Sequence, residues 1–275
     1  MPSHPISFPG GCTALITGAS AGIGAEFARR LAPRAKALVL VARRIDRLEA
    51  LKAELAAPGL EIHACQVDLA EEGQLARFLE WLDGCGLRID LLINNAGLGD
   101  HGAFETADWA RIDRILAVNI RALTRLTHHL LPALRRQPRA AILNVSSIAG
   151  MLPVPHLAVY AASKAFVSSF SEALRVELRR THVTVTALCP GPVHTEFGRA
   201  ARRAGTEEPP PPEVFTVPCE QVVREALEGV ARNRARVIPG MFVAAVMLFV
   251  SLIPIFILRF FLSRPSRRVS VTENA

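Results

Sequence analysis

Residues 14–24 read Ala-Leu-Ile-Thr-Gly-Ala-Ser-Ala-Gly-Ile-Gly, a short apolar run followed at once by three spaced glycines. The apolar run predicts a buried strand, and the residues after it have helical periodicity. In such a strand–turn–helix unit, Gly18 permits a tight turn, Gly22 lets a pyrophosphate approach the backbone, and Gly24 permits close helix–strand packing. The alternative is a glycine-rich turn that binds no ligand, and the glycines alone do not distinguish the two.

The rest of the chain alternates short apolar runs with longer amphipathic stretches. Further strands are predicted at residues 37–42, 62–67, 91–93, 141–145, 183–189 and 236–238, with helices at 74–82, 160–178 and 220–230 among others. Short apolar strands between helices predict a parallel sheet buried on both faces. We therefore expect the α/β class, a single doubly wound, Rossmann-type sheet with helices on both faces. Residues 192–217 interrupt the alternation and are typical of a functional lid.

The end of the second predicted strand indicates which dinucleotide would bind. A site that prefers NAD places a carboxylate here to accept a hydrogen bond from the ribose 2′-hydroxyl. This chain instead has Arg43 and Arg44. A guanidinium suits a 2′-phosphate because it donates charge-assisted hydrogen bonds in pairs. We expect NADP(H), bound by Arg43 because it follows the strand directly; the alternative is that both arginines begin the next helix in solvent.

A tyrosine and a lysine four residues apart, Tyr160 and Lys164, lie on one face of a predicted helix. A free phenol titrates at about pH 10, and a neighbouring cation stabilises the phenolate and brings the pKa toward the working range. Ser147 follows the strand 141–145, at the sheet edge where ligands bind. Together the three side chains predict acid–base chemistry at a substrate oxygen. The alternative is a helix whose tyrosine and lysine are surface residues without a chemical role.

These motifs together resemble those of the short-chain dehydrogenase/reductase family. The matching residues, in order within about residues 11–238, are Thr17 to Gly24, Asn94-Asn95-Ala96-Gly97, Asn119, Ser147, Tyr160 with Lys164, and Pro190-Gly191. The resemblance implies a Rossmann-type domain with seven parallel strands. It also implies an enzyme that transfers hydride between a nicotinamide cofactor and a carbonyl or alcohol.

The resemblance implies a role for each site residue. Tyr160 would be the general acid in reduction, and Lys164 would lower its pKa and bind the nicotinamide ribose. Ser147 would polarise the substrate carbonyl, and Asn119 would hold a water of a proton relay. The cofactor would be contacted by Gly18, Ser20, Gly22, Ile23 and Gly24, by Arg43, by Asp68 beside the adenine, by Asn95, Ala96 and Gly97, by Tyr160 and Lys164, and by Pro190, Gly191, Val193 and Thr195 on the nicotinamide side.

Composition excludes several other classes of protein. Half of the 275 residues are hydrophobic and 21% are charged, which is ample for a buried core. The net charge of +7 comes without zinc-ligand spacing or a basic groove interleaved with aromatic residues, so no nucleic-acid partner is expected. Five scattered cysteines indicate buried, reduced thiols and no metal site. Without a signal-peptide pattern at its N-terminus, the chain is expected in the cytoplasm.

Residues 239–275 form a hydrophobic C-terminal segment with a basic tail, after a catalytic domain of residues 1–238. The stretch 241–258 has no charged residue and just reaches the length at which a transmembrane helix becomes a candidate. Pro254 would kink or split that helix. Two interpretations stay open: residues 241–262 associate with a membrane, or they cover the substrate pocket or a subunit interface.

The sequence therefore predicts an NADP(H)-dependent oxidoreductase that acts on a carbonyl or secondary alcohol. The apolar tail and the long loop favour a lipophilic substrate, such as a steroid, a 3-oxoacyl chain or a long-chain ketone. The alternative is a scaffold that senses NADP(H) without turnover, which would not need Tyr160, Lys164 or Ser147. The resemblance also suggests a homo-oligomer formed through the helices around residues 110–134 and 158–179.

Overall fold

Seven strands form one parallel sheet in the computed structural model, which describes residues 11–203 and 213–262. The strands are β1 Cys12–Thr17, β2 Ala35–Ala42, β3 Glu61–Gln66, β4 Leu91–Asn94, β5 Ala140–Val145, β6 Val183–Leu188 and β7 Arg236–Val237. They are hydrogen-bonded in the order β3-β2-β1-β4-β5-β6-β7, and every neighbouring pair is parallel. The strand order therefore reverses between β1 and β4, and a ligand crevice is expected at their carboxyl ends.

Helices connect the strands and cover both faces of the sheet. They are α1 Gly22–Leu31, α2 Ile45–Leu55, α3 Glu72–Gly84, α4 Trp109–Leu116, α5 Leu123–Leu134, α6 Ala158–Glu177, α7 Glu196–Ala201, α8 Cys219–Ala231, α9 Met241–Ser251 and α10 Ile255–Leu262. A π-helical segment, Ala117–Ala122, joins α4 to α5. The strands and helices expected from hydrophobic periodicity are present, with slightly shifted ends.

Each face of the sheet is buried under its own hydrophobic cluster. Successive residues of a strand point to opposite faces. Ile16 of β1 accordingly packs into the cluster that includes residues of α1, α2 and α8, whereas its neighbour Leu15 packs into the cluster with α3 and α5. All residues of β1 and β5 are buried, which explains why these strands read as continuous apolar runs. The expected doubly wound α/β fold is confirmed.

The hydrophobic C-terminal segment forms two short helices in place of one long helix. Pro254 lies between α9 and α10, where it cannot donate a backbone hydrogen bond to continue the first helix. In the described residues no helix is both long and apolar enough to cross a membrane. Val243 and Met247 of α9 are buried in the cluster beside α8. In contrast, several large apolar side chains in this segment are exposed: Met241, Phe242, Leu248, Phe249, Leu252, Phe256 and Phe260.

The long loop after β6 contains a short helix. α7 lies within residues 192–203, which we call the lid segment. Thr195 caps this helix by accepting a hydrogen bond from the Phe197 N–H at 3.3 Å. Residues 204–212, which include the proline run of the expected lid, lie outside the described residues.

Candidate active site

The glycine turn after β1 is held by side chains from the neighbouring strand. Thr17 Oγ1 accepts hydrogen bonds from the N–H groups of Asn95 and Ala96, both at 3.0 Å. Asn95 donates through Nδ2 to the carbonyl oxygens of Thr17 at 2.9 Å and Gly18 at 3.3 Å. These bonds join the turn to the end of β4, across the crevice between the two strands.

The glycines leave bare backbone where a pyrophosphate would approach. Gly18 has a φ of +67°, and a Cβ there would lie 2.9 Å from Ala96 Cα. A Cβ on Gly24 would overlap the carbonyl oxygen of Gly18. α1 begins at Gly22, and the preceding Ala21 has no side-chain acceptor to cap it, which leaves first-turn N–H groups for an anion. The turn fits the pyrophosphate of a dinucleotide.

The two arginines after β2 have different surroundings. Arg43 is exposed, and its carbonyl oxygen accepts from Gln66 Nε2 at 3.2 Å. Arg44 donates to Ser20 Oγ in the glycine turn at 3.2 Å and to Glu196 Oε2 in the lid segment at 2.9 Å. Strand position favoured Arg43 of the two arginines and did not predict the contact of Arg44 with the glycine turn, because that contact depends on how far a long side chain reaches back across the turn.

Asp68 is an acceptor held in place by α4. Its carboxylate accepts from Arg114 NH2 at 2.7 Å and from the Ala70 N–H at 3.0 Å. Partial burial alone would raise the pKa of Asp68. The Arg114 and Ala70 hydrogen bonds, with the charges of Arg114 and Arg43, outweigh burial and lower that pKa. Asp68 is therefore ionised at neutral pH and lies within electrostatic reach of Arg43.

Tyr160, Ser147 and Lys164 come together at the carboxyl end of β5. The Ser147 hydroxyl lies close enough to the Tyr160 phenol to lower the pKa of that phenol. Lys164 Nζ lies 5.8 Å from the centre of the Tyr160 ring and donates to the Val145 carbonyl oxygen at 2.8 Å. Ser147 also accepts from the Ala149 N–H at 3.1 Å, which fixes its side chain at the start of a short 3-10 helix. β5 and α6 thus assemble the trio that spacing predicted.

Burial governs the protonation of this trio. It raises the pKa of Tyr160 to about 12, and the Ser147 hydroxyl acts against it. The expected shift of this pKa toward the working range by Lys164 is therefore wrong for the described structure, because burial of the phenol dominates. Burial also lowers the pKa of Lys164 to about 8. At neutral pH the phenol is therefore protonated and the lysine is still mostly charged. The site presents an O–H donor next to a buried cation.

Asn119 lies in the π-helical segment between α4 and α5, a type of distortion that is frequent at functional sites. Its side chain bonds the backbone of Leu98 in both directions: Nδ2 donates to the carbonyl at 2.9 Å, and Oδ1 accepts from the N–H at 2.8 Å. Nδ2 also donates to Ser163 Oγ at 2.9 Å, and Ser163 Oγ donates to the Tyr160 carbonyl oxygen at 2.7 Å. Ser163, which directly precedes Lys164 in the chain, thus connects Asn119 to Tyr160.

The segment after β4 links the central sheet to the site. Asn94 is buried and donates to Thr127 Oγ1 at 3.0 Å and to Asn144 Oδ1 at 2.9 Å. A Cβ on Gly97 would lie 3.2 Å from Lys164 Nζ. A side chain at that position would press on the ammonium, so the glycine preserves the space beside it.

The lid segment contacts both the glycine turn and the catalytic tyrosine. A Cβ on Gly22 would lie 3.0 Å from Thr195 Cγ2. Phe197 packs on Tyr160 with ring centroids 5.5 Å apart. Ile23 of α1 and Val193 of the lid segment are both partly buried against one hydrophobic cluster. The residues expected on the nicotinamide side therefore lie opposite the residues expected at the pyrophosphate.

The start of this loop lies beside Ser147 and reaches α9. Pro190 accepts through its carbonyl oxygen from the Ile148 N–H at 3.0 Å. A Cβ on Gly191 would lie 2.9 Å from the Phe215 carbonyl oxygen, 3.6 Å from Val243 Cγ1 and 3.7 Å from Ile148 Cδ1. α9 thus packs next to residues that border the catalytic trio, a position that length and hydropathy did not reveal.

All five cysteines are free thiols, of which Cys12 and Cys189 are buried and the other three are partly exposed. Within residues 11–203 and 213–262, no group of three or more histidine, cysteine or carboxylate side chains is arranged to hold a metal ion.

Comparison with known proteins finds similarity over most of the chain. A family profile described as short chain dehydrogenase matches residues 12–205. The sulfoacetaldehyde reductase of Chromohalobacter salexigens is 41% identical over 187 residues, 66% of this chain and 72% of that protein. The very-long-chain 3-oxoacyl-CoA reductase of Homo sapiens is 34% identical over 207 residues, 74% of this chain and 65% of that protein. The solved structure of a short-chain dehydrogenase from Sphingobium yanoikuyae in complex with NADPH is 34% identical, has a TM-score of 0.76, and covers 96% of this chain and 100% of its own.

Proposed function

The chain belongs to the short-chain dehydrogenase/reductase family, and from that premise we propose that it is an NADP(H)-dependent enzyme that reduces a lipophilic carbonyl compound. The observation that carries the proposal is the assembled trio, in which the Tyr160 phenol and the Ser147 hydroxyl lie close together beside buried Lys164. A scaffold that only sensed the cofactor would not need this arrangement.

The residues of the chain handle the proton and the substrate oxygen, and bound NADPH supplies the hydride. Ser147 and Tyr160 hold the substrate oxygen through their hydroxyl groups, and Tyr160 gives its proton to that oxygen as negative charge develops there. The ammonium of Lys164 stabilises the phenolate that remains. Both Nδ2 hydrogens of Asn119 already donate hydrogen bonds, one to the Leu98 carbonyl oxygen and one to Ser163 Oγ. A relay water beside Asn119 would therefore be held by donating its own hydrogens to oxygen atoms.

The phenol of Tyr160 is protonated at neutral pH, as the general acid of a reduction must be. Burial raises the pKa of this phenol to about 12, so it begins a reductive cycle as a proton donor.

The arginines after β2 support the choice of NADP(H). Arg43 and Arg44 are the first two residues after the strand, and Arg44 already reaches Ser20 in the glycine turn. A 2′-phosphate placed there would accept charge-assisted hydrogen bonds from a guanidinium and a hydroxyl. The Sphingobium yanoikuyae dehydrogenase, which is 34% identical, is a complex with NADPH.

Apolar side chains near the trio support a lipophilic substrate. The side chains of Ile148 and Val243 lie beside Gly191, and the ring of Phe215, whose backbone carbonyl also lies there, contacts Phe242 with ring centroids 5.7 Å apart. Phe197 of the lid segment adds a further apolar surface on Tyr160 itself. Of the two relatives described above, these surroundings favour a substrate like that of the very-long-chain 3-oxoacyl-CoA reductase over one like sulfoacetaldehyde.

A substrate panel tests this proposal. We expect NADPH oxidation with long-chain 3-oxoacyl thioesters, steroid ketones or long-chain ketones at a higher kcat/KM than with sulfoacetaldehyde or acetone. NADH should be the poorer cofactor with every substrate that is turned over. Preference for sulfoacetaldehyde would contradict the lipophilic class, and equal use of NADH would contradict the cofactor assignment.

We propose that the protein is a homo-oligomer. α4 exposes Trp109, 70% accessible, and α6 exposes Phe166. Beside α6 a cavity of about 360 Å³ is lined by apolar residues of the segment 150–154 and by the alanines at 158, 161, 162 and 165. An apolar cavity next to exposed aromatic side chains fits a side chain from a second copy better than it fits water.

We propose two roles for the C-terminal helices. The inner face of α9, with Val243 and Met247, covers the substrate side of the site. The outer face, which exposes Phe249 and Leu252, and α10, which exposes Phe256, rest on a membrane surface. Arg259 in α10 and the arginines at 264, 267 and 268 in the sequence favour an anionic lipid surface.

A further inference from the structure

Glu196, the first residue of α7, is paired with two arginines. Arg47 lies in α2, and Arg44 directly precedes that helix. Its Oε2 accepts from Arg44 NH1 at 2.9 Å, and its two oxygens accept from Arg47 NH1 at 2.7 and 2.8 Å. Arg44 also donates to Ser20 Oγ, at 3.2 Å from NH2 and 3.4 Å from Nε. The Arg47 and Arg44 hydrogen bonds hold the pKa of Glu196 at about 2, so the carboxylate is charged at any working pH. The guanidinium of Arg44 therefore joins Glu196 of the lid segment to Ser20 of the glycine turn.

The neighbours of Glu196 in the chain lie on the two reactive parts of the crevice. Thr195 is packed against Gly22 in the glycine turn, and Phe197 is packed on Tyr160. Because the three residues are consecutive, the position of the carboxylate constrains the other two side chains. While Glu196 is held by Arg44, the phenyl ring stays on the catalytic phenol.

The two ends of the lid segment are anchored differently. At the far end, Arg203 donates to Asp100 at 3.0 and 2.6 Å, and Asp100 is almost completely buried. At the near end, Glu196, Arg44 and Arg47 keep 41–43% of their side-chain surface exposed. Exposed ion pairs contribute little net stability and exchange readily with solvent and ions. The ion pairs of Glu196 are therefore the weaker of these two electrostatic anchors.

We propose that the Glu196 carboxylate stands in for a 2′-phosphate on Arg44, and that a cofactor carrying this phosphate displaces Glu196 and releases the lid segment. The proposal rests on the proposed use of NADP(H). A phosphate bound by Ser20 and Arg44 would lie directly beside the carboxylate, and two anions at that distance repel each other. NADH carries a neutral hydroxyl at the same position and would leave the ion pair in place. The lid segment would then respond to one cofactor and ignore the other.

The test uses two probes that differ only in the phosphate. Adenosine 2′,5′-bisphosphate and adenosine 5′-monophosphate both lack the nicotinamide, so neither engages the catalytic trio directly. Glu196→Gln removes the charge of the stand-in and keeps its shape. We expect this variant to bind the bisphosphate about two- to fivefold more tightly in calorimetric titrations, the range that exposed ion pairs provide, and to bind the monophosphate as the wild type does.

A matched variant controls for the change in net charge. Glu54→Gln also removes one exposed carboxylate that is paired with an arginine, since Glu54 accepts from Arg29 at 2.6 and 2.9 Å on α1. It adds the same charge to the protein but touches neither the lid segment nor Arg44. The change in bisphosphate affinity that Glu54→Gln causes is the effect of net charge alone, and the change caused by Glu196→Gln has to be larger.

Backbone hydrogen exchange of residues 193–203 reports release of the lid segment itself. In the wild type, saturating bisphosphate should accelerate exchange in this segment, and saturating monophosphate should leave it unchanged. In Glu196→Gln, exchange should be fast with either probe. Exchange that the bisphosphate slows or leaves unchanged in the wild type would overturn the release.

The remaining outcomes separate this proposal from the cofactor assignment. If the wild type prefers the bisphosphate and Arg44→Ala abolishes that preference, but Glu196→Gln behaves like Glu54→Gln, the stand-in role of Glu196 is wrong and NADP(H) use is retained. If Glu196→Gln instead weakens the monophosphate, the carboxylate accepts from the 2′-hydroxyl, and the proposal is overturned. If the wild type shows no preference and Arg44→Ala changes neither affinity, NADP(H) use fails and the proposal fails with it.

Discussion

Lys164 is charged at neutral pH in spite of its burial, and only a modest rise in pH removes that charge. Its ammonium is 4% exposed and donates to the Val145 carbonyl at 2.8 Å. Burial brings its pKa down to about 8, whereas burial takes the pKa of Tyr160 away from neutrality, to about 12. As pH rises, the lysine therefore loses its proton before the tyrosine does.

The first prediction concerns the pH dependence of reduction. We expect kcat/KM to be flat near neutrality and to fall as pH rises through about 8, because the neutral amine no longer stabilises the developing phenolate. Lys164→Arg keeps a positive charge to far higher pH, so whatever activity it retains should lack this decline. Wild-type activity that stays constant up to pH 10 would show that Lys164 does not govern the profile.

Residues whose role depends on short spacing could be identified from the sequence. Tyr160 and Lys164 are one helical turn apart, and the glycines of the first turn are within seven residues of one another. Glu196 lies more than 140 residues from Arg44 and Arg47, and no local pattern connects them. Contacts of that kind depend on how the lid segment folds back over the sheet, which hydrophobic periodicity does not describe.

Among the helices, α9 has one face buried against the domain and the other face exposed to solvent. Val243 and Met247 are buried in the cluster that α1 and α8 share, although hydropathy alone separated residues 239–275 from the catalytic domain. An evenly apolar helix does not reveal in its sequence which face is buried, because it has no polar face to mark the outside. Whether residues 1–238 fold independently stays a prediction.

Two truncations separate the roles proposed for the C-terminal helices. Removal of all residues after Leu252 keeps α9, so we expect normal thermal stability and weaker binding to phosphatidylglycerol vesicles than the full chain shows. Removal of all residues after Ile238 also deletes Val243 and Met247. We expect a clearly lower Tm there, since the loss of one large buried apolar side chain costs about 2–5 kcal/mol.

Phosphatidylcholine vesicles are the control for charge, and the full chain should bind them less than it binds phosphatidylglycerol. A full chain that ignores both kinds of vesicle would contradict the membrane role. A chain ending at Ile238 that is as stable as the full chain would contradict the role of α9 as a cover.

At the scale of the whole molecule, the exposed apolar side chains of α4 and α6 predict self-association. Ala162→Arg places a charge beside the alanine-lined cavity on α6, and we expect it to shift the protein toward monomers in light scattering. Ala50→Arg on exposed α2 is the matched control and should leave the oligomer intact. A wild-type protein that is already monomeric at micromolar concentration would contradict the proposed assembly.

The architecture could be predicted from the sequence more completely than the site could. Seven short apolar runs separated by helical stretches leave few alternatives to a doubly wound sheet, because parallel strands need helical crossovers. The position of Asn119 was available only through resemblance, since a π-helical turn has no signature in a single sequence. The break at Pro254 was visible in advance, yet the packing of α9 beside Gly191 was not.

The central claim is that Tyr160 donates the proton in an NADPH-dependent reduction. Its most direct test is the turnover number of Tyr160→Phe with the best ketone of the panel, measured beside the Kd for NADPH of the same protein. We expect the turnover number to fall by about 10²–10⁴-fold, the usual contribution of general acid catalysis, while NADPH binds as it does to the wild type. Turnover within a few-fold of the wild type, in a variant that still binds NADPH, would contradict it.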